Sequence, residues 1–214
     1  MSSQQNGRTI SFVRHALPEV DPMSPPSEWP LTSAGVRSAK ALKLPRTARL
    51  LSSPEIKALQ TVALATGSDV DSIVLDPAFR EIERIEAVHD GYRAARAAWV
   101  SGALDNQHQG WESPKSATNR ICEALLRYEA PHLVIGTHGM VLTAWLVSTG
   151  AIEPHASAVA FWEQLPFPAV VTVEMLGEQR AILRPEAHGV LKAHATGHST
   201  RSDIAPRARR QEKI

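Results

Sequence analysis

Two apolar runs in this chain each end in a histidine: Ile10-Ser11-Phe12-Val13 leads through Arg14 to His15, and Leu133-Val134-Ile135-Gly136-Thr137 leads to His138. Short apolar runs bounded by turn signals read as buried strands. In an open α/β sheet the residues at the carboxyl ends of strands face the ligand crevice. A fold that lays these two runs in one sheet therefore brings His15 and His138 together from distant parts of the chain. Arg14 adds a forked, permanent cation beside the first histidine. A guanidinium repels a metal ion and suits a phosphate or carboxylate, so the trio points to phosphate.

The surrounding pattern supplies the sheet. Residues 9–13 read as a strand, followed by a loop whose Pro18, Pro22, Pro25, Pro26 and Pro30 exclude helix. Thr32 or Ser33 caps a helix expected to run to Leu44, where Pro45 stops it. A strand at 49–52 precedes a helix expected to start at Ser53-Pro54 and to end near Gly67. A strand is expected at 72–76, and 79–92 carries no clear period. Helices are expected over 93–100, 114–129, 139–147 and 156–164, and a terminal hairpin over 170–175 and 181–183 around Gly177-Glu178-Gln179. Strands alternating with helices predict a three-layer α/β/α sandwich with a mostly parallel central sheet. The expected division is a disordered start over 1–8, a catalytic domain over 9–186, and a disordered basic tail over 187–214.

Length and composition narrow the class. A chain of 214 residues with 43% apolar and 21% charged residues suits one globular domain. Cys122 is the only cysteine, which rules out an intrachain disulfide and a cysteine-based zinc site and favours a reducing cytoplasm. Met1 to Gly7 lack the apolar core of a secretory signal, and no apolar run reaches membrane-spanning length. A net charge of +1 gives no general reason to expect nucleic acid or a membrane as partner. His188, His194 and His198 lie in a glycine-containing tail without thiolates, which offers no fixed metal geometry. The run Arg207, Arg209, Arg210 and Lys213 reads as a solvated end.

Six ordered pieces resemble the histidine phosphatase superfamily, which includes the cofactor-dependent phosphoglycerate mutases. Val13-Arg14-His15-Ala16 is similar to the Arg-His-Gly signature, with alanine for glycine. Leu31-Thr32-Ser33-Ala34-Gly35 resembles the Leu-Thr-x-x-Gly helix entry. Ser52-Ser53-Pro54-Glu55-Ile56-Lys57-Ala58-Leu59-Gln60-Thr61 resembles the Ser-Ser-Pro-x-x-Arg-Ala-x-Gln-Thr element, with Lys57 at the arginine position. Phe79-Arg80-Glu81 falls at Leu-x-Glu, Trp111-Glu112-Ser113 at Gly-Glu-Ser, and Gly136-Thr137-His138-Gly139 matches the second-histidine motif. The resemblance spans most of residues 9–150 and implies a phosphoglycerate mutase-like fold.

The resemblance implies His15 as the nucleophile that forms a phosphohistidine. Arg14 would grip two phosphoryl oxygens, His138 would donate to a third, and backbone N–H groups after Gly139 would add a helix-end field. Glu81 is the expected proton donor to the leaving oxygen and then the base for water, with Glu83 as the competing acid and Glu86 nearby. Lys57 keeps positive charge for the phosphate and loses the bidentate fork. Asp21 falls near where mutase-like members place a neutral amide, and a carboxylate there would repel phosphate unless turned away. Pro18, Glu19, Trp29 and Arg80 are candidate lining residues of the leaving-group pocket. The expectation is a phosphomonoester hydrolase of small phosphorylated molecules that needs no metal and no cofactor. Mutase-type transfer and a weakened phosphate- or protein-binding module are the alternatives.

Overall fold

The computed structural model describes residues 7–45, 47–84, 91–102, 110–177 and 180–184. The expected disordered ends lie largely or wholly outside these residues, as do Glu86, the tail histidines, the basic run, and Glu178-Gln179 of the hairpin turn. Strands β1 (Arg8–Arg14), β2 (Arg49–Ser52), β3 (Val74–Leu75), β4 (His132–Thr137), β5 (Ala169–Leu176) and β6 (Arg180–Leu183) form one sheet in the order β3-β2-β4-β1-β5-β6. β3, β2, β4 and β1 run parallel, while β5 and β6 are antiparallel additions at the β1 edge. The expected mostly parallel sandwich is the observed architecture.

Helices α1 (Ser33–Ala41), α2 (Ile56–Thr66), α3 (Tyr92–Val100), α4 (Pro114–Arg127), α5 (Gly139–Ser148) and α6 (Ala156–Gln164) cover the two faces of the sheet. Side chains alternate across a strand, so β1 sends Ile10 and Phe12 to one face and Val13 to the other. On the first face Phe12 packs at 4.8 Å from Trp145 of α5, beside Trp99 of α3, Ile121 of α4 and Phe161 of α6. α5 is apolar on all sides and buried from Gly139 to Leu146, which is why it lies under the others rather than at the surface. On the second face Val13 and Val134 meet Val62 of α2, and α1 packs outside α2.

Three boundaries depart from the sequence pattern, each for a physical reason. α1 stops at Ala41 rather than Leu44, because Leu44 precedes Pro45 and Leu42 and Leu44 pack against the second core instead. α2 begins at Ile56, not Ser53: the Ser53 N–H is committed to Gly136 O at 2.8 Å, which keeps Ser53 at a strand end. β3 is only Val74–Leu75, since Asp69 caps a 3-10 turn over Val70–Ser72, and Asp76 caps the next over Pro77–Phe79. That second turn and the irregular residues after it fill the start of the stretch without a period.

Candidate active site

Parallel register sets the site. Arg14 stands opposite Thr137 and Ser52 opposite Gly136, so β1, β4 and β2 end together. The His15 N–H donates to Thr137 O at 3.1 Å, which extends the ladder one residue past β1. The rings of His15 and His138 thereby come to 5.2 Å between centroids. The two histidines predicted at strand ends are thus brought together.

His15 is buried, and its Nδ1 lies 2.8 Å from Ala16 O. A carbonyl can only accept, so the proton sits on Nδ1 and Nε2 carries the lone pair. Burial holds the imidazole pKa well below its usual value, reinforced by His138, against the Ala16 bond that raises it. At neutral pH His15 is therefore a neutral imidazole with its nucleophilic nitrogen on the side away from its anchor. The Ala16 N–H donates to Thr61 Oγ1 at 2.9 Å, and Thr61 donates to Lys57 O at 2.6 Å, tying the turn to α2.

Arg14 meets two neighbours. Its guanidinium carbon sits 3.5 Å from the centroid of the Phe167 ring. Gly139 is also close, where an added Cβ would come within 3.1 Å of Arg14 Nε. A side chain there would press on the guanidinium, which glycine lets approach the start of α5. Nη1 donates to Leu165 O, and Nε is buried without a partner among the described residues. Burial lowers the Arg14 pKa to about 10, against the pull of Glu81, so the cation persists at neutral pH.

His138 is fully buried, and burial outweighs the nearby Glu81 to push its pKa down to about 3. Its Nε2 lies 3.0 Å from Ser53 Oγ and 3.1 Å from Glu55 Oε1, whereas Nδ1 has no partner among the described residues. The carboxylate can only accept, so Nε2 carries the proton and Nδ1 the lone pair. Glu55 was absent from the sequence expectations. Its carboxylate reaches His138, accepts from the Glu81 N–H at 2.8 Å, and pairs with Lys57 Nζ at 2.5 Å. The signal available in the sequence was a charged residue between the anchored Ser53-Pro54 and Lys57. Lys57 also donates to Pro26 O at 2.6 Å, so its ammonium is shared between Glu55 and the proline-rich loop.

Glu81 sits at the start of α5. The Met140 and Val141 N–H groups, which the sequence offered to a phosphate, donate to its carboxylate at 3.4 and 3.1 Å, joined by Ile82 N–H at 3.1 Å. Glu83, the competing acid, has an exposed side chain paired with Arg80 at 2.5 Å. A half-buried clamp supports the Glu81 segment: Arg120 donates to Ala78 O, Glu81 O and both oxygens of Glu112, and Glu112 accepts from the Glu83 N–H. Sequence reading matched Glu112 to a motif but gave it no role, and it passed over Arg120 and Phe167. The Phe167 ring, 5.2 Å from His15, follows α6 in a segment without a pattern.

The proline-rich loop folds on itself. Asp21 is exposed and accepts from the Met23 N–H at 2.9 Å and from Ser24 Oγ at 3.0 Å, so the carboxylate is turned onto its own loop. Trp29 Nε1 donates to Asp21 O and Ser24 O, and the Glu19 N–H donates to Pro30 O. Among the described residues no three His, Cys, Asp or Glu side chains gather as a metal ion would need. None of the described helices is long and apolar enough to cross a membrane.

Solved structures share this architecture. TTHB049 from Thermus thermophilus is 24% identical with a TM-score of 0.56, covering 82% of this chain and 98% of its own. A mycobacterial glucosyl-3-phosphoglycerate phosphatase is 19% identical with a TM-score of 0.61, covering 83% and 97%. A phosphoglycerate mutase, also from Thermus thermophilus, is 23% identical with a TM-score of 0.55, covering 81% and 96%. No curated protein matches the chain. Residues 10–184 match the histidine phosphatase superfamily (branch 1), a span that carries β1 from Ile10 onward, the other five strands and both histidines. The chain belongs to the histidine phosphatase superfamily.

Proposed function

We propose that this protein hydrolyses phosphomonoesters through a phosphohistidine on His15, in the cytoplasm, without a metal or cofactor. The observation that carries the reading is the state of His15: Nδ1 is anchored on Ala16 O, and the neutral ring leaves Nε2 as nucleophile. Nε2 attacks phosphorus as the ester oxygen departs, and water then releases phosphate. The buried, unpartnered Arg14 Nε is the donor assigned to a phosphoryl oxygen, and His138 Nδ1 is assigned to a second oxygen in the doubly protonated ring. Glu81 is assigned the proton that goes to the leaving oxygen and the later activation of water, and Glu83 is set aside because its side chain is exposed and paired with Arg80. Hydrolysis is preferred to mutase transfer because Lys57 is already paired with Glu55, which leaves less charge to retain a released product.

The test is hydrolysis of an aryl phosphate with chelator present, over a pH series, by the native protein and His15→Ala. Activity that survives chelation and falls in the variant by on the order of 10⁴-fold or more is expected. Equal activity in both proteins contradicts the reading.

A further inference from the structure

The segment Leu165-Pro166-Phe167-Pro168 joins α6 to β5. Antiparallel pairing sets Ala169 opposite Arg14, so the residues just before β5 stand at the carboxyl end of β1. Two prolines fix the backbone on either side of Phe167, and Leu165, which precedes the first, is held extended. Leu165 is buried in the first core and its N–H donates to Phe161 O at 3.0 Å, while its carbonyl accepts from Arg14 Nη1. Phe167 differs from it: the side chain is 42% exposed and belongs to none of the core clusters. Its ring has the Arg14 guanidinium carbon 3.5 Å from its centroid and the His15 ring at 5.2 Å. Core packing therefore does not account for this phenylalanine, whereas its contact with Arg14 does.

A guanidinium that receives an anion must present its free N–H groups at a fixed angle, and an arginine side chain otherwise samples many rotamers. In Arg14 one end is tied, Nη1 to Leu165 O, while Nε keeps no partner among the described residues. A single hydrogen bond leaves the fork free to turn about it. An aromatic face against the guanidinium carbon removes that freedom and attracts the cation, so the group meets an arriving anion already ordered. From these contacts we propose that Phe167 is a positioning residue, whose ring, together with the Leu165 carbonyl, holds the Arg14 guanidinium so that Nε meets a phosphoryl oxygen. The proposal rests on the assignment of Arg14 Nε to phosphate and adds a residue that acts through Arg14.

Because Phe167 lies outside the core clusters, replacing it opens no core cavity. Calorimetry with inorganic phosphate, which has no leaving group, compares the native protein with Phe167→Leu and Phe167→Tyr. Phe167→Leu removes the aromatic face and is expected to raise the phosphate dissociation constant about tenfold, and Phe167→Tyr, which keeps the face, to recover most of that loss. A double-mutant cycle on aryl phosphate hydrolysis asks whether the ring works through the fork. In an Arg14→Lys background Phe167→Leu is expected to change kcat/KM by less than about twofold, against about tenfold in the native background. Phosphate affinity unmoved by Phe167→Leu overturns the proposal, even where hydrolysis falls, since the ring would then serve the leaving group. Equal losses of kcat/KM in the two backgrounds overturn it as well. Phosphate binding that responds as expected in a protein that hydrolyses no aryl phosphate supports the positioning role and overturns the phosphatase reading instead. A native protein that binds no phosphate overturns both.

Discussion

At the amino end of the sheet, Lys43, His132 and Arg184 surround a cavity of about 140 Å³ lined also by Thr9, Ser11 and Thr172. At the carboxyl end, Arg14, His15 and His138 converge. Both ends offer histidine and cations, yet their surroundings differ. Lys43, His132 and Arg184 are exposed, Arg184 is paired with Glu174, and the Ser11 and Thr172 hydroxyls satisfy each other at 3.2 Å. Arg14, His15 and His138 are buried, with Arg14 Nε and His138 Nδ1 left unpartnered. A buried polar atom without a partner costs about 1–3 kcal/mol, and of these two Arg14 Nε is a donor as it stands, so the carboxyl end gains more from an arriving anion. Residue type is shared, and what separates the two clusters is burial of the charged and histidine side chains; unspent donors alone do not, since Arg8 at the start of β1 also keeps Nε and Nη2 without a partner among the described residues.

The contrast is sharpest at Arg14. Arg14→Lys keeps charge and removes the planar fork that meets Phe167 and Gly139, and kcat/KM for an aryl phosphate is expected to fall by about 10²–10³-fold. A loss smaller than fivefold would mean that the fork is not what receives the phosphoryl group.

A smaller effect distinguishes the buried histidine by pH. His138 Nε2 carries its proton toward Glu55, so Nδ1 can donate to phosphate only after a second proton binds. In the empty site its pKa is about 3, and an anion beside Nδ1 raises it. Phosphate binding therefore takes up a proton, and affinity rises as pH falls. Above the empty-site pKa and below that of the complex the dissociation constant for a titrating His138 rises about tenfold per pH unit. Calorimetry in buffers of different ionisation enthalpy reads the uptake directly. Native protein and His138→Gln taking up equal numbers of protons would place the titration elsewhere.

Lys57 probes the boundary between the buried site and the loop. Because its ammonium bridges Glu55 and Pro26 O, Lys57→Arg is expected to change kcat by less than about tenfold, measured on aryl phosphate. If it turned an inert protein into a phosphatase, the native chain would be the weakened binding module. At the amino end, Lys43→Ala and Arg184→Ala are each expected to leave kcat/KM within about twofold, as exposed charges and exposed ion pairs contribute little. A tenfold change from either would give that end a functional role.

How much of this could be read from the sequence follows the same divide. The His15 and His138 strands were legible because buried parallel strands are continuous apolar runs and their ends are marked by Arg14-His15 and His138-Gly139. α5 and α6 were legible from their apolar patterns and the turn signals beside them. Ser53 was misread as a helix start, because its Ser-Pro pair matches a cap while its N–H is taken by Gly136 of β4, a contact distant in sequence. Glu55, Arg120 and Phe167 escaped for a related reason. Each acts through partners from other elements, so nothing in its neighbours marks it. Glu81 was found by resemblance, while its place on the Met140 and Val141 N–H groups required the fold.

The central claim is that His15 Nε2 becomes phosphorylated during turnover. The direct measurement is rapid quenching of the native protein with an aryl phosphate into alkali, where phosphohistidine survives, followed by peptide mass spectrometry. The expected result is one phosphoryl group on the peptide containing His15, formed within a turnover and absent from His15→Ala. Steady hydrolysis with His15 unmodified, or the phosphoryl group found on another side chain, would contradict the account.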